Sequence, residues 1–466
     1  MIELYPFQET LIGQLRSAFA KGSRRVLLVS PTGSGKTVMF AYLVTRMAER
    51  NIRSNIMVHR QELLDQVAKT LDAFEAEHGY IAAGEIYDPA ESLTHISSVF
   101  TLARRLGSAP VPTYGICDEA HHCIDGSTWG SCVAYWTKVN PEFRLIGVTA
   151  TPERLSGEGL GTIFDTMIVG PGVAELIALG FLSKYKMFAP AQQLDTSSLR
   201  IRAGEFKTDD AEGLMNRPSI TGNAVAHYRK YLNGAPAVAF CVSRKHAAQV
   251  AEDFRASGFR SASIDGTMTK PDRKAMVREF ANGQLNVMTS CQLINEGFDC
   301  PGMHGAILLS PTQSLAKCLQ EYGRTLRVAP GKEFAYILDH VGNSARHGLP
   351  DEQREWILHS GKRDKKKRDV DDIAIRQCPV CGAVSTATAV KCCECGHVFE
   401  VKARKIDEVE GELEEITMWR AQWQKKRDQG QAESIEALVE LGKRRGMKNP
   451  HGWARHVWQA RERKRA

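Results

Sequence analysis

The sequence predicts an α/β protein: two open parallel-sheet domains in tandem, then a small cysteine-held module and a helical tail. Three observations carry this. From residue 25 to about 340, short apolar runs alternate with helical patterns, the rhythm of strand–helix crossovers in parallel sheets. Polar and glycine-bearing residues follow those runs, where open α/β sheets place their sites. Past residue 345 the alternation stops, and cysteine pairs and basic residues take over. The expected domains are 1–175, 180–345, a basic linker 346–377, a four-cysteine module 378–400 and a helical basic tail 401–466.

A chain of 466 residues is long enough for two or three domains with their own cores. No apolar run approaches a membrane span, and Met1-Ile2-Glu3-Leu4-Tyr5-Pro6 lacks the basic start and apolar stretch of a signal peptide. The expectation is a soluble, cytoplasmic protein with no membrane partner. Of the twelve cysteines, five crowd into 378–395 and the others are scattered among apolar neighbours. That pattern suits a reducing interior with one metal site better than a disulfide framework. Net charge is +7, yet residues 443–466 hold nine Lys/Arg against the single acid Glu462. The basic excess therefore belongs to the tail, where it marks a polyanion contact or a solvated end.

In chain order, Tyr5-Pro6-Phe7-Gln8 opens a helical pattern through Leu11, Leu15 and Phe19. Gln8 beside aromatic rings, just upstream of a phosphate loop, is placed to read an adenine edge. The loop is Ser30-Pro31-Thr32-Gly33-Ser34-Gly35-Lys36-Thr37, between the run Val26–Val29 and a helix carrying Phe40, Leu43, Val44 and Met47. Strand, glycine turn and helix bring backbone N–H groups and a helix N-terminus onto one anion. Gly33 and Gly35 let the main chain wrap the phosphates, Lys36 reaches the β/γ oxygens, and the Thr37 hydroxyl can ligate Mg²⁺. The cofactor is ATP, and what remains to be read is what ATP drives.

Three further strand ends follow in the first half. Asn55–Val58 leads to His59-Arg60-Gln61-Glu62, Gly115–Cys117 to Asp118-Glu119-Ala120-His121-His122, and Leu145–Val148 to Thr149-Ala150-Thr151-Pro152. In the second half, Ala237–Cys241, Ser261–Ile264, Leu285–Met288 and Gly305–Leu309 read as strands. No second phosphate loop appears there, so the two domains share one nucleotide. Cys378-Pro379-Val380-Cys381-Gly382 and Cys392-Cys393-Glu394-Cys395-Gly396 form two knuckles, and four thiolates favour a closed structural Zn²⁺ site. Cys393 is spare, and His397 is a lesser ligand. The run 362–368 is a solvated linker or a phosphate contact. Near the end, Trp453 and Trp458 among Arg455, Arg461 and Arg463 either stack on bases or pin a terminal helix.

Taken in order, Gln8, Gly35-Lys36-Thr37, Asp118-Glu119-Ala120-His121, Thr149-Ala150-Thr151, Gly297-Phe298-Asp299 and Gln320…Gly323-Arg324…Arg327 resemble the superfamily 2 helicases of the Asp-Glu-Ala-His type. The resemblance covers about residues 1–345 and is nearest the DNA-directed branch related to restriction-enzyme motors and RadD-like helicases, in which a cysteine zinc module follows the motor. It implies two RecA-like domains and a zinc ribbon. It also implies Mg²⁺ held by Thr37 and Asp118, Glu119 orienting the attacking water, and Arg324 and Arg327 reaching the γ-phosphate from the second domain. Gln320, Gly297 and Asp299 line the same cleft in this reading. His121 and Thr149 to Thr151 report the nucleotide state, and His59, Arg60, Thr101, Arg244 and Thr289 contact a nucleic-acid backbone. The implied partner is single-stranded or branched DNA, with RNA as the alternative. Other readings are an ATP-switched clamp, which has no need of both Glu119 and the arginines, and a restriction motor subunit, for which no nuclease-like carboxylate cluster is seen outside the motor.

Overall fold

The structure is a computed structural model. It describes residues 3–84, 92–153, 159–189, 196, 199–202, 205–215, 218–291, 302–359, 375–386, 388–399, 432, 434–445, 447 and 449–465. Gly297, Asp299, the basic run 362–368 and tail residues 401–431 lie outside them. The chain divides into two units, Met1–Phe399 and Glu400–Ala466.

The first half runs α1 (Pro6–Ala20), β1 (Arg25–Val29), α2 (Lys36–Ala48), β2 (Ser54–Val58), α3 (Gln61–Ala73), β3 (Gly79–Ile81), β4 (Thr94–Ser98), α4 (Val99–Arg105), β5 (Tyr114–Asp118), α5 (Thr128–Val139), β6 (Arg144–Thr149), β7 (Thr166–Val169) and α6 (Val173–Ala178). Its seven strands form one sheet in the order β3-β4-β2-β5-β6-β1-β7, every neighbouring pair parallel. Central β2 is buried at every position, as a strand with helices on both faces must be. The carboxyl ends of β1, β5 and β6 are adjacent, which brings Ser30, Glu119 and Ala150 to one edge.

The second half runs β8 (Tyr185–Phe188), β9 (Ile201–Arg202), β10 (Glu205–Phe206), α7 (Thr208–Met215), α8 (Pro218–Tyr231), β11 (Ala237–Cys241), α9 (Arg244–Ala256), β12 (Ser261–Ile264), α10 (Lys270–Ala281), β13 (Val287–Ser290), β14 (Gly305–Leu309), α11 (Leu315–Thr325), β15 (Ala335–Asp339) and α12 (Asn343–His347). Six strands form a second parallel sheet, β12-β13-β11-β14-β15-β8. The two sheets are RecA-like domains, as the sequence predicts.

After α12 the chain returns to the first domain. Gly161 N–H donates to Leu358 O at 2.8 Å, and Leu358 is buried with Leu160, Ile163 and Phe164. The close approach needs glycines, since a Cβ at Gly159 would stand 2.2 Å from Leu358 O. At the other end of this strap the Tyr185 hydroxyl donates to Asp351, and Arg354 donates to the carbonyls of His347 and Leu349. Residues 349–358 therefore tie both domains together. A second tie joins α3 to α10: Arg273 to Glu62 at 2.9 Å, Lys274 to Asp65 at 2.7 Å and Lys270 to Asp65 at 3.3 Å.

The cysteine module has its own hairpin, β16 (Ile375–Gln377) with β17 (Val384–Thr386). It extends the second domain. Ala189 N–H donates to Gly382 O at 3.1 Å beside edge strand β8, and Cys378, Ala383, Val384 and Cys392 share one apolar core with Met187 and Phe188. The second unit contains α13 (Ile435–Arg444) and α14 (Pro450–Arg465). Leu438, Val439, Ala454 and Val457 form its core, with Ile435, Trp453 and Trp458 against them; both tryptophans thus pack within their own helix pair. Among the described residues no helix is long and apolar enough to cross a membrane.

Candidate functional site

The phosphate loop leaves β1 at Ser30, whose N–H donates to Thr149 O at 2.9 Å and fixes the loop to the end of β6. Gly33 (φ 91°) and Gly35 (φ 77°) are left-handed, a conformation glycine adopts without steric penalty. Gly35 is also covered: a Cβ there would meet Gln8 Nε2 at 2.5 Å. Buried Gln8 is held at both ends, its Nε2 donating to Ser34 O and its Oε1 accepting from Tyr5 N–H, each at 3.0 Å. In this conformation it joins the start of α1 to the loop. Tyr5 and Phe7 pack on Phe181 of the connector between the domains, residues 179–184, with ring centroids 4.3 and 5.2 Å away.

The Lys36 ammonium folds onto its own loop, donating to the carbonyls of Ser30 and Pro31 at 3.1 Å each. Burial lowers its pKa, while the charges of Glu119 and Asp118 oppose that shift. Asp118 ends β5 and accepts from Glu119 N–H at 3.0 Å. Burial, and then the neighbouring Glu119, push the Asp118 pKa up to about 7, with Lys36 acting against them. A divalent cation would restore the ionised form, so Asp118 with Thr37 fits a Mg²⁺ site. Glu119 is left-handed (φ 51°), an uncommon conformation for a non-glycine residue and one that marks functional turns. His121 Nδ1 lies 3.5 Å from Glu119 Oε2 and 3.2 Å from Thr149 Oγ1. Thr149 Oγ1 in turn donates to Thr151 O at 3.0 Å, which chains the end of β5 to the end of β6.

The second domain enters this site through α11. Cys318 and every residue from Gln320 to Thr325 are buried, because the helix lies between its own sheet and the phosphate loop. Gly323 faces Thr32, and Arg324 and Arg327 are near enough for their charges to act on Lys36. Burial lowers the Arg327 pKa to about 10. Lys36, Asp118, Glu119, Arg324 and Arg327 thus come together across the cleft, whereas Gln320 is buried in α11 and Gly297 and Asp299 fall outside the described residues.

The backbone-contact set is less uniform. His59 lies beside His122 and Trp129, ring centroids 5.0 and 5.8 Å apart, and Thr101 and Arg244 sit in the first turns of α4 and α9. Thr289 is different. It is fully buried in β13, and its hydroxyl donates to Ala247 O at 2.7 Å, so it reaches no surface. Connector residue Leu182 was invisible in the sequence: a Cβ on Gly33 would stand 2.9 Å from Leu182 Cδ2.

At the module, the sulfurs of Cys378, Cys381, Cys392 and Cys395 lie within 4.8 Å of one another. Cys378–Cys395 and Cys381–Cys392 are each 3.5 Å apart. Tetrahedral zinc–thiolate bonds require sulfurs about 3.8 Å apart, so the donor set fits Zn²⁺. The knuckles repeat one turn: Gly382 N–H donates to Cys378 O and Gly396 N–H to Cys392 O, with φ 76° and 74° at the glycines. Neither Cys393 nor His397 joins the cluster.

Comparison with known proteins decides the family. Residues 1–154 match the family described as "Type III restriction enzyme, res subunit", and residues 223–329 match "Helicase conserved C-terminal domain". A 51.5 kDa protein of a Lactococcus phage is 32% identical over 392 residues, 84% of this chain and 82% of that one. The chain belongs to the superfamily 2 helicases, in the restriction-motor group. It is also similar to IRC3 of Saccharomyces cerevisiae, 27% identical over 73% of this chain but 52% of the yeast protein, so it spans about half of that relative. The DNA 3'-5' translocase XPB2 of Sulfurisphaera tokodaii is 24% identical over 71% of this chain and 81% of that one. Among solved structures, the restriction-modification enzyme LlaBIII bound to DNA shares the fold, with a TM-score of 0.53 and 16% identity over 76% of this chain and 28% of that one. As helicase domains, the two sheets take ATP with Mg²⁺ and work on nucleic acid.

Proposed function

We propose that this helicase-family chain is an ATP-dependent DNA translocase or helicase whose single ATP site is completed by both domains. The observation that carries the reading is α11, which brings Gly323 against Thr32, with Arg324 and Arg327 near enough for their charges to act on Lys36. Phosphoryl transfer to water needs charge neutralisation and an aligned nucleophile more than covalent chemistry. The phosphate loop N–H groups and Lys36 would hold the β and γ phosphates, and Thr37 and Asp118 would hold Mg²⁺, which when bound would supply charge neutralisation there. Glu119 orients the water, and Arg324 and Arg327 stabilise charge on the transferring group. Gln8 braces the loop, and Gln320 lines the cleft from α11.

Coupling follows from the split site, because γ-phosphate links the loop to α11 and its loss removes that link. The path from Glu119 through His121 to Thr149 and Thr151 gives the first domain a way to pass the change on. DNA as the track is supported by the printed names of XPB2 and LlaBIII, and a bacterial or phage setting by the phage relative. The cysteine module is assigned one Zn²⁺ through Cys378, Cys381, Cys392 and Cys395. Strand displacement on forked, gapped and branched DNA, with RNA counterparts, tests the reading. ATP-dependent displacement or movement on DNA is expected; activity confined to RNA would defeat it.

A further inference from the structure

Lys332 lies in the turn between α11 and β15, outside every residue assigned to the ATP site. Its ammonium donates to Arg327 O at 2.7 Å, to Met303 O at 2.8 Å and to Thr325 O. An ammonium has three donors, and all three are used on main-chain carbonyls. Thr325 directly follows Arg324 and ends α11, where the last carbonyls lack intrahelical partners and a cation also meets the negative end of the helix dipole. The opposite side is held by the connector: Ser183 N–H donates to Leu326 O at 2.7 Å, and its hydroxyl to Arg327 O at 3.2 Å. The Arg327 carbonyl therefore receives both Lys332 and Ser183, next to Leu182, which touches Gly33.

Burial and the Arg327 charge push the Lys332 pKa down to about 7, so keeping an ammonium here opposes stability. A lysine turned to solvent would avoid that cost. We propose that Lys332 is a positioning residue for ATP hydrolysis. It fixes the main chain from Thr325 to Arg327 so that both guanidiniums meet the γ-phosphate in register with the loop, with Ser183 as its counterpart on the connector. The inference rests on the roles given above to Arg324 and Arg327.

The test is steady-state ATPase and fluorescent-ATP binding with the full chain carrying Lys332→Met, Ser183→Ala, Arg327→Ala, or Lys332→Met with Arg327→Ala. Lys332→Met should lower kcat by about 10- to 100-fold, the scale of a misplaced catalytic group, with the Kd for ATP unchanged within about twofold. Removing one hydroxyl in Ser183→Ala should lower kcat about threefold, the scale of one hydrogen bond. Once Arg327 is gone, Lys332→Met should lower kcat by a smaller factor than it does in the wild type, because only the placing of Arg324 is left to lose. A wild-type kcat in Lys332→Met overturns the proposal, as does an equal fall with and without Arg327, the signature of general destabilisation. If Lys332→Met melts below the assay temperature, Ser183→Ala decides: an unchanged kcat overturns the proposal. A wild-type rate in Arg327→Ala alone identifies failure of the underlying reading instead.

Discussion

Gly323 of α11 lies so close to Thr32 of the phosphate loop that a Cβ at position 323 would stand 2.5 Å from the Thr32 Cβ. Only a residue without a side chain lets the second domain reach this depth. Gly323→Ala should push α11 away from the loop and lower kcat by about 10²-fold, while the loop still binds ATP. Steady-state hydrolysis together with fluorescent-nucleotide binding checks both halves.

Lys36 and Glu119 should separate binding from chemistry. Lys36→Ala removes a phosphate contact and should weaken ATP binding. Glu119→Gln keeps the shape of the turn and should preserve binding while hydrolysis drops by about 10²-fold or more. Undiminished turnover in Glu119→Gln would remove Glu119 from its assigned role.

The cysteine module should behave as part of the second domain. Cys378 and Cys392 are buried with Phe188, and the Tyr231 hydroxyl donates to Cys381 O at 3.0 Å. Cys378→Ser with Cys395→Ser should therefore abolish binding of one zinc per chain and lower the melting temperature of the motor. Metal release to a chromophoric chelator and thermal melting measure the two effects. Loss of zinc with an unchanged melting curve would make the module an appendage.

Glu321 gives a pH signature. It is fully buried, neither carboxylate oxygen has a hydrogen-bond partner, and burial raises its pKa from 4.5 to about 7. Between those values the folded chain binds more protons than the unfolded one, so this residue makes stability fall as pH rises through that window, with the full penalty above about pH 7. Glu321→Gln should therefore be neutral near pH 5 and stabilising at pH 8, by roughly 3 kcal/mol. Urea unfolding at the two pH values reads the difference. A gain that is equal at both would contradict the assignment.

Much of the motor was legible because its signals are local. The run from Val26 to Thr37, the ends of β5 and β6, and the two knuckles each carry their chemistry within a few residues. What stayed hidden depends on distant pairs. Leu182 on Gly33, Ser183 on Arg327, and Leu358 on Gly161 join segments with no shared pattern. Edge strand β8 is only four residues long, too short to show a period. Gln320 and Arg324 are assigned to the cleft through the resemblance alone, since nothing in their local pattern marks them as buried. Thr289 shows the reverse: the resemblance implies a nucleic-acid backbone contact, yet α9 covers it and takes its hydroxyl.

The central claim is one ATP site, completed by the second domain and driven by DNA. The most direct test is steady-state ATP hydrolysis by wild type and Arg327→Ala with and without saturating single-stranded DNA. DNA should accelerate the wild type, and Arg327→Ala should still bind ATP but turn over roughly 10³-fold more slowly. Wild-type turnover in Arg327→Ala, or a wild-type rate indifferent to DNA, would contradict the account.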